Sequence, residues 1–232
     1  MASPYYSSKI YPAKDSYKVI FFFAGFGTKV WLYRLIYKRL NTLGYTVVAY
    51  QFPARVMLKS DGYFLDNVRG AILKDMRRLI DDFKSQDYNA FSLFGVSMGS
   101  VYSIAFAKEL PEISKLVLVT MYGSAGQFIW EYHRLKRMKK TYTDKNISMR
   151  ELEVMYPKIE PLIDTERLNN KDILLFVSRE DNVIFYKNTK RFILKAKRIG
   201  VNLNVIEGRG RHIPFIIRTL LKDKNWANFL AG

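Results

Sequence analysis

This chain of 232 residues predicts an α/β fold built on a mainly parallel sheet, and three observations carry that prediction. Apolar runs of strand length alternate with segments whose apolar residues recur at helical spacing, the pattern of successive βαβ units. The first clear strand, YKVIFFFAG (17–25), is apolar almost throughout, as a strand covered on both faces must be. A chain of this length usually folds around one core, so a single domain over residues 1–232 is expected.

The elements follow in order. VWLYRLIYKRLNTLG (30–44) places Leu32, Leu35, Ile36, Leu40 and Leu43 on one helical face, with Gly44 to end the helix. YTVVAYQF (45–52) is the second strand. Val68, Ile72, Met76, Leu79, Ile80 and Phe83 then repeat at helical spacing behind a cap at Asp66 or Asn67, and this helix crosses to the strand NAFSLFGV (89–96). A further helix leads to the strand KLVLVTMY (115–122). Residues 123–170 are too long for an ordinary connection and hold helical patterns of their own. The sheet resumes with DILLFVS (172–178). A helix carrying Phe185, Phe192, Ile193, Ala196 and Ile199 closes at Gly200, and NLNVIEG (202–208) and a last helix from about Pro214 to Phe229 complete about six strands.

Composition bounds the function classes. Hydrophobic residues make up 49% and charged residues 25%, the ordinary globular range. There is no cysteine, which removes disulfides, a thiolate nucleophile and cysteine-ligated zinc from consideration. The N-terminus lacks the charged and apolar regions of a secretory signal, and no apolar run approaches the roughly 18 residues of a membrane span, so a cytoplasmic protein without a transmembrane segment is expected. Lys+Arg 38 against Asp+Glu 21 gives a net charge of +17. That excess suits attraction to a polyanion, an anionic membrane surface or an acidic carrier or substrate. It equally suits a lysine-rich solvated surface, the plainer reading. No nucleic-acid-binding module is legible, so no nucleic-acid partner is expected.

The stretch LFGVSMGSVYSIAF (93–106) carries the chemistry. Gly95, Ser97 and Gly99 match G-x-S-x-G where a strand end opens into a helix, a sharp turn that projects the serine hydroxyl and leaves no room for side chains beside it. The positive end of the helix dipole favours negative charge developing there. A serine needs a neighbouring base, and the chain has only His133 and His212. His212, in EGRGRHIPF beyond the last strand, lies at the sheet edge where ligand-binding loops gather. His133, in WEYHRLKRMKK, reads as a solvated or lid residue. A carboxylate should fix the imidazole tautomer, and SREDNVI after the strand at 172–178 offers Glu180 and Asp181. Backbone donors for an oxyanion are expected from Met98 and from Phe26 in FFFAGFGTK, where Gly25 and Gly27 let the chain turn tightly.

With these residues the chain resembles the α/β-hydrolase superfamily, from about Tyr17 to Phe229. The order Ser97, Asp181, His212 is that family's order of nucleophile, acid and base. The resemblance selects Asp181 over Glu180 because the apolar pair Val183 and Ile184 follows at the usual offset. Ala24-Gly25-Phe26-Gly27 is similar to the family's oxyanion turn apart from Ala24, which stands where a histidine is frequent. The family's two N-terminal antiparallel strands look missing or abbreviated, and the FPAR segment (52–55) lacks the usual glycine-rich turn. The resemblance implies a serine hydrolase acting on a small acyl ester, thioester or lactone, with no cofactor or metal, or a non-catalytic binding protein on the same fold.

Residues 123–170 would stand where caps cover the active site in that family, as a helical lid insertion. Its apolar members, Phe128, Trp130, Met138 and Tyr156 among them, suit either a wall over the substrate or packing within a small subdomain. Trp130 there and Gly25 at the oxyanion turn are the candidate substrate contacts. Residues 131–145 hold six Lys/Arg against two Asp/Glu, and residues 187–224 eleven against two, the sequence basis for an acidic carrier protein or anionic substrate as partner.

Overall fold

The computed structural model describes residues 6–52, 63–132 and 135–232. Seven strands form one sheet: β1 (Ser7–Tyr11), β2 (Lys18–Phe23), β3 (Tyr45–Gln51), β4 (Ala90–Val96), β5 (Ile113–Val119), β6 (Asp172–Ser178) and β7 (Leu203–Gly208). Their order is β1-β3-β2-β4-β5-β6-β7, and all pairs are parallel except β1 with β3. The seventh strand corrects the expected six. It is the antiparallel strand β1, illegible beforehand because SSKIY is short and polar and its side chains are mostly exposed. Its backbone pairing to β3, Ser7 opposite Gln51 through Tyr11 opposite Val47, is what holds it.

The continuous apolar run of β2 divides between two cores by strict alternation. Val19, Phe21 and Phe23 enter one cluster, Ile20, Phe22 and Ala24 the other, and none is exposed. On the first face lie α2 (Tyr63–Lys84), α3 (Met98–Ala107) and α7 (Tyr186–Arg198). On the second lie α1 (Arg34–Thr42), preceded by a 3-10 turn Val30–Tyr33, and α8 (His212–Lys222) and α9 (Asn225–Ala231). Inside α2 the expected residues Val68, Ile72, Met76, Leu79, Ile80 and Phe83 are all buried, although its backbone begins at Tyr63, upstream of the expected cap. No helix among the described residues is long and apolar enough to cross a membrane.

Three further expectations are corrected. The buried face of α1 and the 3-10 turn before it is Tyr33, Ile36, Tyr37 and Leu40, while Leu32 and Leu35 are exposed. Tyrosine bodies outcompete leucines here because Tyr33 and Tyr37 pack on Phe22, one tilted and one edge-on, at 4.9 and 5.1 Å between ring centres. Phe185 precedes α7 as its cap and is exposed rather than on the buried face. The last helix is two, broken at Asp223 and Lys224, and its first residue is His212, two residues before the expected start.

Residues 123–170 contribute α4 (Ala125–Glu131), α5 (Lys136–Asp144), α6 (Met149–Met155) and a 3-10 turn Thr165–Leu168. Ser124 caps α4, its hydroxyl accepting from the Gln127 amide at 3.2 Å, and Ser148 and Glu151 form a reciprocal capping box on α6. Ile129, Tyr142, Leu152, Tyr156, Ile159 and Leu168 are buried in the same cluster as the first face of the sheet. Lys108, at the C-terminal cap of α3, fastens the end of this segment, its ammonium donating to the Glu160, Pro161 and Ile163 carbonyls.

Candidate active site

Strand order locates the site. From β2 the chain steps to β3 on one side, and β4 then pairs on the other, so the loops leaving β2 and β4 diverge at the crevice where open parallel sheets bind ligands. Phe23 pairs with Gly95, which sets the turn after β2 beside the turn after β4. A Cβ placed on Gly25 would stand 3.6 Å from the Ser97 Cβ.

Ser97 occupies φ 54°, ψ −120°, a conformation that costs a non-glycine residue about 1–3 kcal/mol. The surroundings over-determine it. Ser97 N–H donates to the Val119 carbonyl at 2.8 Å, and the Ser100 amide donates to the Ser97 carbonyl at 2.9 Å. The Ser100 hydroxyl donates to Gly95 O at 2.8 Å, and that of Ser103 to Gly99 O at 2.9 Å. Both flanking glycines are obligatory: a Cβ on Gly95 would lie 2.5 Å from Ser100 Cα, and one on Gly99 would overlap the Phe23 carbonyl. Ser100 and Ser103 therefore belong to the site's frame, and the sequence did carry a signal for them, two serines on a helix whose other residues are small, aliphatic or aromatic.

His212 opens α8 and is buried, with its Nε2 3.0 Å from Ser97 Oγ and its Nδ1 2.7 Å from Asp181 Oδ2. An imidazole whose Nδ1–H donates to the Asp181 carboxylate presents Nε2 as an acceptor to the Ser97 hydroxyl. The other carboxylate oxygen, Oδ1, accepts from the amides of Val183 and Ile184 at 2.8 Å each. Those residues matter through their N–H groups as well as their apolar side chains, since charge-assisted bonds of this kind fix the carboxylate's orientation. Glu180 is excluded from the imidazole and accepts from the Gly210 amide at 3.0 Å. Asn182 was not foreseen: its Oδ1 accepts from the His212 amide at 3.2 Å, and Ser178 donates to Gly210 O at 2.5 Å. Together they staple the loop after β6 to the loop before α8.

At the turn after β2, Thr28 N–H donates to Gly25 O at 3.1 Å and Gly27 takes φ +67°, a conformation that favours glycine. The Gly25 amide donates to the buried Tyr33 hydroxyl at 3.4 Å, and burial raises the pKa of that phenol. Since the Gly25 N–H is directed there, Phe26 is the next amide along the turn. Met98 is the first residue of α3, and first-turn amides have no partner within their own helix. Trp130 is half-buried at the core margin, with the Lys139 ammonium 4.9 Å from its ring centre. Next to the site, Thr120 also takes a positive φ, 53°, and its buried Oγ1 has no hydrogen-bond partner among the described residues. His133 and residues 53–55 of the FPAR segment lie outside the described residues. No group of three metal-ligating side chains occurs among the described residues.

No protein-family model matches the chain, and no curated relative matches it in sequence. Solved structures do. A cold-adapted esterase from an Arctic intertidal metagenomic library superposes at TM-score 0.67 and 11% identity, over 97% of this chain and 87% of that one. A thermostable carboxyl esterase from Bacillus coagulans superposes at 0.67 and 14% identity, over 98% and 94%. A puromycin-hydrolyzing peptidase from Mycobacterium tuberculosis superposes at 0.71 and 13% identity, over 97% of this chain and 37% of that one. The chain has the α/β-hydrolase fold that these enzymes share.

Proposed function

We propose that the protein is a serine hydrolase that cleaves carboxylic esters through an acyl-enzyme. The observation that carries this reading is the relay Ser97–His212–Asp181, with 3.0 and 2.7 Å between its members, running from a buried carboxylate and imidazole to a partly exposed serine in a strained turn. His212 Nε2 takes the Ser97 proton as Oγ attacks the acyl carbon, and Asp181 stabilises the imidazolium. The Met98 and Phe26 amides hold the oxyanion of the tetrahedral intermediate. On its collapse the alkoxide leaves with the proton from His212. Water, deprotonated by His212, then attacks the acyl-serine, and the acid is released as Ser97 recovers its proton.

Residues 123–170 act as the wall over the acyl group, with Trp130 and Gly25 as substrate contacts. Esterases among the structural neighbours support ester hydrolysis, and thioesters and lactones use the same residues. Labelling with a fluorophosphonate probe tests the reading: Ser97 should be modified in the wild type and Ser97→Ala should stay unlabelled. A folded wild-type protein that resists the probe would instead be a binding protein on this fold. Initial rates on p-nitrophenyl esters, acyl thioesters and lactones rank the substrate classes, and esters should lead.

A further inference from the structure

We propose that the face formed by α1 and α8 docks onto an anionic lipid surface. The two helices pack side by side over the same face of the sheet. Arg39 sets the rotation of α1: it donates to the Asp223 carbonyl at 3.3 Å and its guanidinium stands 4.3 Å from the Trp226 ring, both just beyond α8. Leu35, four residues earlier on α1, shares that flank, and Leu32 is exposed in the 3-10 turn that leads into it. On α8, Arg218 and Lys222 turn the opposite way, lining a recess with Ile206 and Glu207 of β7. The row Ile213, Ile217, Leu221, at four-residue spacing, therefore occupies the flank toward α1.

The two rows border one apolar strip. Its five aliphatic side chains are between 51% and 64% exposed, and Trp31 at its head is 52% exposed. Large aliphatics gathered this way on a surface mark an interaction site. Cations edge the strip on both outer sides, Arg34 and Lys38 on α1 and Arg218 and Lys222 on α8. Residues 29–44 and 209–224 together hold nine Lys/Arg and a single acid, Asp223.

Charge chooses the occupant. A second copy would set these cations against themselves, in a chain already at +17. Protein interfaces are depleted in lysine, whereas an aliphatic stripe between basic borders, with tryptophan at one end, is the distribution of a helix lying in a bilayer interface. Anionic head groups would meet the border cations while the Leu and Ile side chains enter the acyl boundary. Both rows also start at the carboxyl end of the sheet, Ile213 next to His212 and Trp31 just after the turn at Gly25–Thr28, so docking holds the Ser97 end against the lipid.

The inference does not depend on catalysis, and the test uses Ser97→Ala protein so that no lipid is consumed. Flotation at low salt should recover the protein with phosphatidylcholine vesicles containing phosphatidylglycerol and leave it unbound with phosphatidylcholine alone. Leu35→Ser/Ile217→Ser, both exposed positions, should weaken that binding about tenfold while its melting curve stays that of the parent. Trp31 emission should shift to the blue on binding, and Trp31→Phe should abolish the shift. Equal binding by the double variant, no binding to either vesicle, no response from Trp31, or a dimer that the double variant dissolves would each overturn the proposal, the last in favour of self-association.

Discussion

At the scale of single residues, Ser97 is held in an unfavourable backbone state by neighbours that have no room to give. Replacing Gly99 with alanine drives a methyl group into the Phe23 carbonyl, backbone that cannot move without disturbing β2. We expect Gly99→Ala to remove esterase turnover and to lower stability by about 2 kcal/mol or more, read by probe labelling and urea denaturation. The carboxylates give a sharper comparison. Asp181 meets the imidazole and two amides, whereas Glu180 meets only a loop amide. Asp181→Asn should reduce kcat on the order of a thousandfold or more by reversing the preferred tautomer of His212. Glu180→Gln should stay within about threefold of wild type, since an amide oxygen still accepts from Gly210. Equal losses from the two variants would refute the assignment of the acid.

At the scale of elements, Lys108 makes the decisive attachment of residues 123–170. Three N–H donors meet three carbonyls in a partly buried place, and the replacement Lys108→Met keeps length while leaving those acceptors without the ammonium. It should destabilise by about 2–4 kcal/mol in urea and raise amide exchange within residues 160–168 more than in the sheet. The same scale shows what could be read beforehand. The six parallel strands and the core of α2 were legible because burial on both faces leaves continuous apolar runs and burial on one leaves a helical period. The strand β1 was not, since an edge strand held by backbone bonds needs no apolar side chains. The face of α1 was misread for a related reason: sequence ranks Leu32 and Leu35 with Ile36, and only the aromatic packing of Tyr33 and Tyr37 on Phe22 shows which row faces inward. Of the site, Ser97, His212 and Asp181 were legible from the motif, the scarcity of histidine and the family order. Asn182 and Tyr33 were not, because a single side chain bonded to a distant backbone leaves no spacing to detect.

At the scale of the whole molecule, a net charge of +17 makes self-repulsion a general term in stability. Added salt shortens the Debye length to about 8 Å at physiological ionic strength, so Tm at neutral pH should rise from low salt to that level. A falling Tm would mean that the ion pairs, mostly at exposed positions, outweigh the repulsion. Raising the pH also discharges lysines, and Lys108 adds a local contribution of the same sign. Burial pushes its pKa down from 10.5 to about 8. Between those values the unfolded chain holds a proton that the folded one has released, so stability rises with pH across that window. Below it both states are protonated and the penalty of burying the charge is present in full. The penalty amounts to roughly 3 kcal/mol, less whatever the three carbonyls return. The global repulsion is shared by any variant of the same fold, whereas the local contribution vanishes with the amine. Urea unfolding of the wild type and of Lys108→Met from pH 7 to 10.5 separates the two. The wild type should gain stability more steeply, and parallel curves would show that the carbonyls keep Lys108 protonated throughout.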